Sequence, residues 1–216
     1  MPQSPREIIE QHFRAGRPLD AFEAIYANAR EHGGIVPWDD GQPAPHLVEW
    51  AQEHRIDGAG RRALVIGCGL GDDAEFLSQR GFNVTAFDLS ASAIALCRER
   101  WPQSRVGYVV ADLLNAPSEW HQAFDFVLES RTIQAIPWQY TESAIRAISG
   151  FVAPNGELLV LCLAREPHEP RTGIPWPLSR DELAQFEREG LRVVRWDSFL
   201  PHQPRFRVHY RRETAS

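Results

Sequence analysis

The sequence predicts an α/β protein built on a doubly wound, seven-stranded, mostly parallel sheet, with an antiparallel pair of strands at its C-terminal end and a helical arm at its N-terminus. Three observations carry this prediction. From Arg62 onward, short apolar runs alternate with segments of helical periodicity, the pattern of parallel strands joined by right-handed crossovers. The last two apolar runs are separated only by Leu200-Pro201-His202-Gln203-Pro204, which leaves no room for a crossover helix and forces an antiparallel pair. The first thirty residues carry helix-start signals but no strand signal.

The elements follow in order. Ser4-Pro5-Arg6-Glu7 is a capping box with proline at the first helical position, starting a helix to about residue 14. Asp20 is expected to cap a second helix, over residues 20–30. The segment GGIVPWDDGQPAPH is too rich in proline for a regular element until Pro45, after which Leu47, Trp50 and Ala51 form one apolar helical face. Strands are expected at 63–66, 83–87, 106–111, 124–128, 157–163, 191–199 and 206–212, being short, rich in Val, Leu, Ile and Phe, and bounded by turn residues. Helices fill residues 72–79, 90–100, 138–151 and 179–189, the last opened by a second capping box, Ser179-Arg180-Asp181-Glu182. Residues 1–55 are thus assigned to the arm and an active-site cover, and residues 56–216 to one globular unit.

Composition narrows the partners. A net charge of −6 opposes attraction to nucleic acid or anionic membranes, and no apolar run is long enough for a membrane span. The C-terminal arginines Arg205, Arg207, Arg211 and Arg212 are expected on a solvated sheet edge. Three cysteines, Cys68, Cys97 and Cys162, without C-x-x-C spacing suit a reducing, cytoplasmic compartment and no metal site. Oligomeric state is left open.

The chemistry concentrates in Ile66-Gly67-Cys68-Gly69-Leu70-Gly71-Asp72-Asp73, on the first strand-to-helix turn, where ligands of such sheets bind. No Gly-Lys-Ser/Thr follows, so a Walker loop is excluded, and the third glycine comes one position too early for the dinucleotide fingerprint. Asp72 and Asp73 also place negative charge where a pyrophosphate would sit. They suit instead a ligand with a cationic portion and no phosphate, and S-adenosylmethionine is such a ligand. Asp88 ends the second strand, where a carboxylate accepts hydrogen bonds from ribose hydroxyls. Asp112 ends the third, positioned for the adenine amino group, with Leu113 against the ring. The cofactor set is therefore Trp38, Gly67, Cys68, Gly69, Gly71, Asp72, Asp88, Leu89, Asp112, Leu113 and Glu129. Asp73 is expected to be a solvated acid of the first helical turn.

The run GCGLGDDAEFLSQRGFNVTAFDLSASAI, then VADLL and FDFVLES, resembles class I S-adenosylmethionine-dependent methyltransferases over residues 60–163 and on toward 212. That resemblance implies a Rossmann-like fold and methyl transfer. PWDDGQP and ESRTIQAI resemble the small-molecule branch that includes thiopurine and thiol S-methyltransferases, which implies a small thiol or other S/N nucleophile as acceptor. One departure is Val65, where the family often has an acid two residues before the first glycine; the cofactor ammonium then falls to backbone carbonyls or Asp72.

Methyl transfer is an in-line displacement in which alignment does most of the work, so a base is optional. Glu129, at the end of strand four, Arg131 and His46 are the catalytic candidates, and His202 is a proton-transfer candidate by composition alone. Trp38 in the proline-rich loop is expected to cover the methionine portion, with Asp39 or Asp40 reaching its amino group. Trp138, Pro175 and Trp176 are expected to line the substrate side. The alternatives are a non-catalytic module binding the same cofactor, and a nicotinamide-dependent oxidoreductase, which the glycine spacing and the absence of lysine from the chain disfavour.

Overall fold

A computed structural model describes residues 3–171, 174–199 and 204–214. The arm comprises α1 (Pro5–Arg14) and α2 (Asp20–His32), and α3 (Pro45–Glu53) leads into the sheet. The strands are β1 (Arg62–Ile66), β2 (Asn83–Asp88), β3 (Gly107–Val110), β4 (Phe124–Ser130), β5 (Val152–Leu163), β6 (Leu191–Phe199) and β7 (Arg205–Arg212). The intervening helices are α4 (Asp72–Gln79), α5 (Ala91–Arg100), α6 (Thr141–Phe151), α7 (Arg180–Leu183) and α8 (Gln185–Arg188). The sheet runs β3-β2-β1-β4-β5-β7-β6, with the first five strands parallel and β7 antiparallel to both of its neighbours. Strand order reverses between β1 and β4, which opens a crevice above their carboxyl ends.

Both faces of the sheet are covered. Along β1, Leu64 and Ile66 enter one core with α6 and α8, while Ala63 and Val65 enter the other with α3, α4 and α5. Along β5, Leu158, Val160 and Cys162 alternate in the same way with Leu159 and Leu161. Full burial of each such aliphatic side chain contributes roughly 1.5–3 kcal/mol. Leu47, Trp50 and Ala51 of α3 belong to the second of these cores. Among the described residues no helix is long and apolar enough to cross a membrane.

Local differences from the sequence reading have local causes. Asp20 is the first helical residue of α2 rather than its cap, and its carboxylate meets Arg17 at 3.4 Å. β5 starts at Val152, which pairs with Phe124, and a register shift around Asn155 then sets Glu157 opposite Phe126. The expected 179–189 helix breaks into α7 and α8, two single turns joined at Ala184. The arginine-rich strand is not an edge: β7 lies between β5 and β6, and Arg207 is buried with bonds to Glu53, Asp197 and the His46 carbonyl. Arg212 is likewise drawn inward, onto the carbonyls of Val152 and Ser149.

Gly71 shows what the alternating glycines do. It sits at φ +90°, and a Cβ there would collide with Tyr108 Oη, which donates to Glu75 Oε1 at 2.7 Å. Gly71→Ala is expected to destabilise the protein by about 2–4 kcal/mol, combining left-handed strain with overpacking. Gly60→Ala, at φ +77° with open space around it, is expected to show only the strain. Urea unfolding of the two variants checks this, and equal losses would remove the role assigned to Tyr108.

Candidate active site

A cavity of about 520 Å³ opens at the carboxyl edge of the sheet, roofed by the arm and by residues 37–44. Gly67, Cys68, Gly69 and Asp72 of the turn line it, with Asp88, Leu89, Asp112 and Leu113 on the β2–β3 side and Trp38 and Arg131 from the two loops above. Two members of the sequence-derived cofactor set lie elsewhere. Gly71 is buried behind the turn against Tyr108, and Glu129 points away from the cavity.

The turn is held by protein groups on every side. A Cβ on Gly67 would strike Thr132, whose Oγ1 donates to the Ile66 carbonyl at 2.9 Å, and one on Gly69 would come 3.1 Å from Tyr26 Oη. Cys97 Sγ donates to the Gly69 carbonyl at 3.1 Å. Asp88 is the hub: its Oδ2 accepts from Gly69 N–H and its Oδ1 from Ser90 N–H, each at 3.0 Å. Burial pushes its carboxyl up to about 6 against these hydrogen bonds. An ionised carboxylate has roughly four lone-pair sites, so acceptor capacity remains for a ligand. Asp112 accepts from Leu114 N–H at 2.9 Å and keeps its second oxygen toward solvent and cavity.

Glu23 of the arm reaches into the same network. It accepts from Ser90 Oγ at 2.7 Å, Ser92 Oγ at 2.6 Å and Ser92 N–H at 3.1 Å, so one arm residue caps α5 beside Asp88. No sequence signal singled out Glu23, since a glutamate in the first turn of a helix usually faces water. Tyr26 was equally invisible. Its Oη accepts from Trp38 Nε1 at 2.6 Å, and Trp38 also packs on Phe22, so this tryptophan both anchors the arm and lines the cavity.

The acids of the cover are engaged differently from the sequence expectation. Asp39 meets Arg100 at 3.4 Å and Asp40 meets Arg131 at 3.8 Å, so both carboxylates face guanidinium groups. Asp72 also pairs with Arg100, at 3.0 Å, and burial still raises its carboxyl above the usual range. Asp73 is not a solvated helix-start acid: it lines the cavity and accepts from Ala44 N–H at 2.7 Å, fastening the end of the cover to α4.

The catalytic candidates separate. Arg131 lines the cavity in a left-handed conformation, φ +65°. His46 lies on α3 outside the cavity, stacked on Phe199 at 4.1 Å and facing Glu49 at 3.1 Å, because the helix turns its second residue toward β6 and β7. Glu129 is fully buried; its Oε1 accepts from Thr132 and Ile133 N–H at 2.7 and 3.0 Å, so it caps the loop instead of touching ligand. His202 lies outside the described residues. Of the expected substrate-side residues only Pro175 lines the cavity. Trp138 is half exposed under the Arg171 guanidinium, and Trp176 packs on Phe13 of α1 at 5.9 Å.

Glu129 Oε2 has no partner, and burial pushes the carboxyl from 4.5 up to about 7. A raised carboxyl stabilises the fold fully below pH 4.5 and loses that contribution as pH rises through about 7. Glu129→Gln keeps an oxygen for the two N–H groups and removes the ionisation. Between about pH 5 and 8 the wild type is expected to lose up to about 3 kcal/mol more stability than this variant in urea titrations. Parallel pH profiles would contradict the assignment.

A glycine turn at the switch point, strand-end carboxylates and a covered crevice define a Rossmann-like domain that binds a nucleoside without a phosphate cradle. Residues 63–156 match the family model described as a methyltransferase domain. The ubiquinone biosynthesis O-methyltransferase of Bordetella avium is 30% identical over 125 residues, covering 57% of this chain and 51% of that protein. The chain spans about half the length of the curated relatives it matches. Among solved structures, the 1,6-didemethyltoxoflavin N1-methyltransferase of Burkholderia thailandensis, with bound 1,6-didemethyltoxoflavin and S-adenosylhomocysteine, superposes with a TM-score of 0.71 at 18% identity, covering 94% of this chain and 90% of that one. The cyclase SpnF superposes with a TM-score of 0.67 at 17% identity, over 98% and 97% of the two chains. Such likeness is one of fold, and one fold hosts several chemistries.

Proposed function

We propose that the protein transfers the methyl group of S-adenosylmethionine to a small-molecule acceptor with a sulfur or nitrogen nucleophile, in a reducing, cytoplasmic compartment. What supports this most is the donor set in a single cavity: Asp88 and Asp112 end β2 and β3 beside the glycine turn, while Asp72 and Asp73 start α4 where an anion-binding domain would keep its N-terminus free of acids. That set fits a ribose, an adenine amino group and a cationic sulfur nucleoside. When bound, the cofactor supplies an electrophilic methyl group. Asp88 would hold the ribose, Asp112 with Leu89 and Leu113 the adenine, and Trp38 the methionine side, where an aromatic face attracts a cation by roughly 0.5–2 kcal/mol.

The acceptor class rests on how the cavity's carboxylates are engaged. Among the described residues no histidine or glutamate lines the cavity, and its aspartates Asp39, Asp40, Asp72, Asp73, Asp88 and Asp112 are each held by an arginine or a backbone N–H, so we assign the protein's contribution to alignment and exclusion of water, worth roughly 7–11 kcal/mol in favourable cases. A thiolate or a ring nitrogen with a free lone pair reacts under those conditions without a base, whereas an unactivated alcohol does not. The name of the Bordetella avium relative points to oxygen, and that of the Burkholderia thailandensis structure to nitrogen.

Two measurements test this. Calorimetry is expected to show binding of S-adenosylmethionine and S-adenosylhomocysteine but not of NAD or ATP. Formation of S-adenosylhomocysteine is expected with members of a panel of thiols, nitrogen heterocycles, phenols and metalloid anions. Binding of NAD alone would overturn the reading.

A further inference from the structure

We infer that Gln134 is the polar anchor of the acceptor subsite, and that the acceptor is an apolar ring carrying a hydrogen-bond-accepting oxygen beside its nucleophilic atom. This rests on the methyl-transfer reading above.

Gln134 sits in the short 3-10 turn Ile133–Ala135 after β4. Its Oε1 accepts from Leu163 N–H at the end of β5, at 2.7 Å, and its own carbonyl accepts from Trp176 N–H at 2.7 Å. The first bond fixes the amide, because a backbone N–H donates only to the oxygen; the Nε2 end is therefore assigned by chemistry. That Nε2 is buried without a partner, in a residue that is 0% exposed and belongs to the cavity lining. Buried donors are almost always paired, so a lone, rigidly held N–H beside a ligand cavity is a site for a ligand acceptor atom.

Topology places it in the acceptor half. Asp88 and Asp112 lie on the β2–β3 side of the glycine turn, whereas Gln134 and Leu163 lie across the switch point on the β4–β5 side. Ile136, Leu163, Ile174 and Pro175 supply apolar walls there, and Tyr140, Arg131 and Arg205, the last paired in register with Leu163, also line the cavity. Such a surface accepts a flat apolar body between polar groups, to which Gln134 adds a neutral donor. An acceptor oxygen held on Nε2 orients the ring, so that a neighbouring nucleophile is presented to the methyl group; a ring without that oxygen leaves the donor unmet.

The experiment compares 2-mercaptophenol with thiophenol and catechol with phenol, each pair differing by one neighbouring hydroxyl. The wild type is expected to favour the hydroxyl-bearing member of whichever pair it methylates by at least tenfold in kcat/KM. Gln134→Glu, assayed at pH 8, keeps the oxygen for Leu163 but removes the donor, and Gln134→Leu removes both. Both variants are expected to lose the preference while binding S-adenosylmethionine within threefold of wild type. Preference retained in the variants overturns the inference, as does a wild type that binds the cofactor but methylates neither hydroxyl-bearing probe. A wild type that fails to bind S-adenosylmethionine would instead bring down the methyltransferase reading itself.

Discussion

Asp88→Ala is expected to weaken S-adenosylmethionine binding by about a hundredfold or more. Each charge-assisted hydrogen bond to a buried carboxylate contributes roughly 1.5–3 kcal/mol, and in the proposed binding mode the ribose hydroxyls depend on this one. The substitution also strips Gly69 and Ser90 N–H of their acceptor, so the turn itself loosens. Asp73→Ala is expected to cost less than tenfold, since Asp73, though it lines the cavity, is engaged with the cover at Ala44 N–H and is assigned no hydroxyl of the ligand. The pH dependence carries a separate signature. With a carboxyl near 6, wild-type affinity is expected to fall as pH drops through about 6, and Asp88→Asn is expected to be weak at all pH values. Calorimetric titration from about pH 5 to 8 measures both effects, and equal affinities for the alanine variants at positions 73 and 88 would refute the ribose assignment.

Removal of residues 1–43 is expected to leave a folded domain that no longer transfers methyl groups. Neither of the two large cores contains a residue from this segment; the arm's buried side chains, Ile8, Ala21, Ile25, Tyr26 and Val36, form two small clusters of their own against α5 and the turn. Folding therefore survives, while the roof of the cavity goes. Loss of Trp38, Tyr26 and Phe22 admits water and frees the acceptor, and misalignment of this kind costs about a hundredfold in rate or more. Glu23→Ala in the full chain is the companion variant. It releases the arm from Ser90 and Ser92 without removing any cavity wall, and an intermediate loss of activity is expected. Circular dichroism and thermal melting establish the fold, and turnover by the truncated protein at the wild-type rate would show that the arm is not a cover.

The strands, the parallel order and the antiparallel ending were legible in the sequence, because they depend on local apolar periodicity and on connection lengths too short for a helix. So were Asp88 and Asp112, whose positions are set by counting from a glycine turn to the ends of the next two strands. Gly67 and Gly71 were legible as glycines of a tight turn, but the side chains that exclude a Cβ at them, Thr132 and Tyr108, come from distant segments. His46 and Glu129 had suitable chemistry, yet the direction of a side chain at a helix start or a strand end depends on what packs beside it. For His46 that is Phe199, and for Glu129 the returning N–H groups of Thr132 and Ile133.

The sequence by itself determined the fold class and placed the glycine turn, Asp88 and Asp112 at the carboxyl edge of the sheet, since each follows from spacing along one continuous segment. Only the tertiary structure decided which groups share the cavity. Glu23 meets Ser90 across 67 residues, Trp38 meets Tyr26 between two parts of the arm, and Gln134 after β4 meets Leu163 at the end of β5. Those contacts arise from the packing of the arm on α5 and from the order β1-β4-β5, in which strands distant in the chain become neighbours, and no local pattern encodes either.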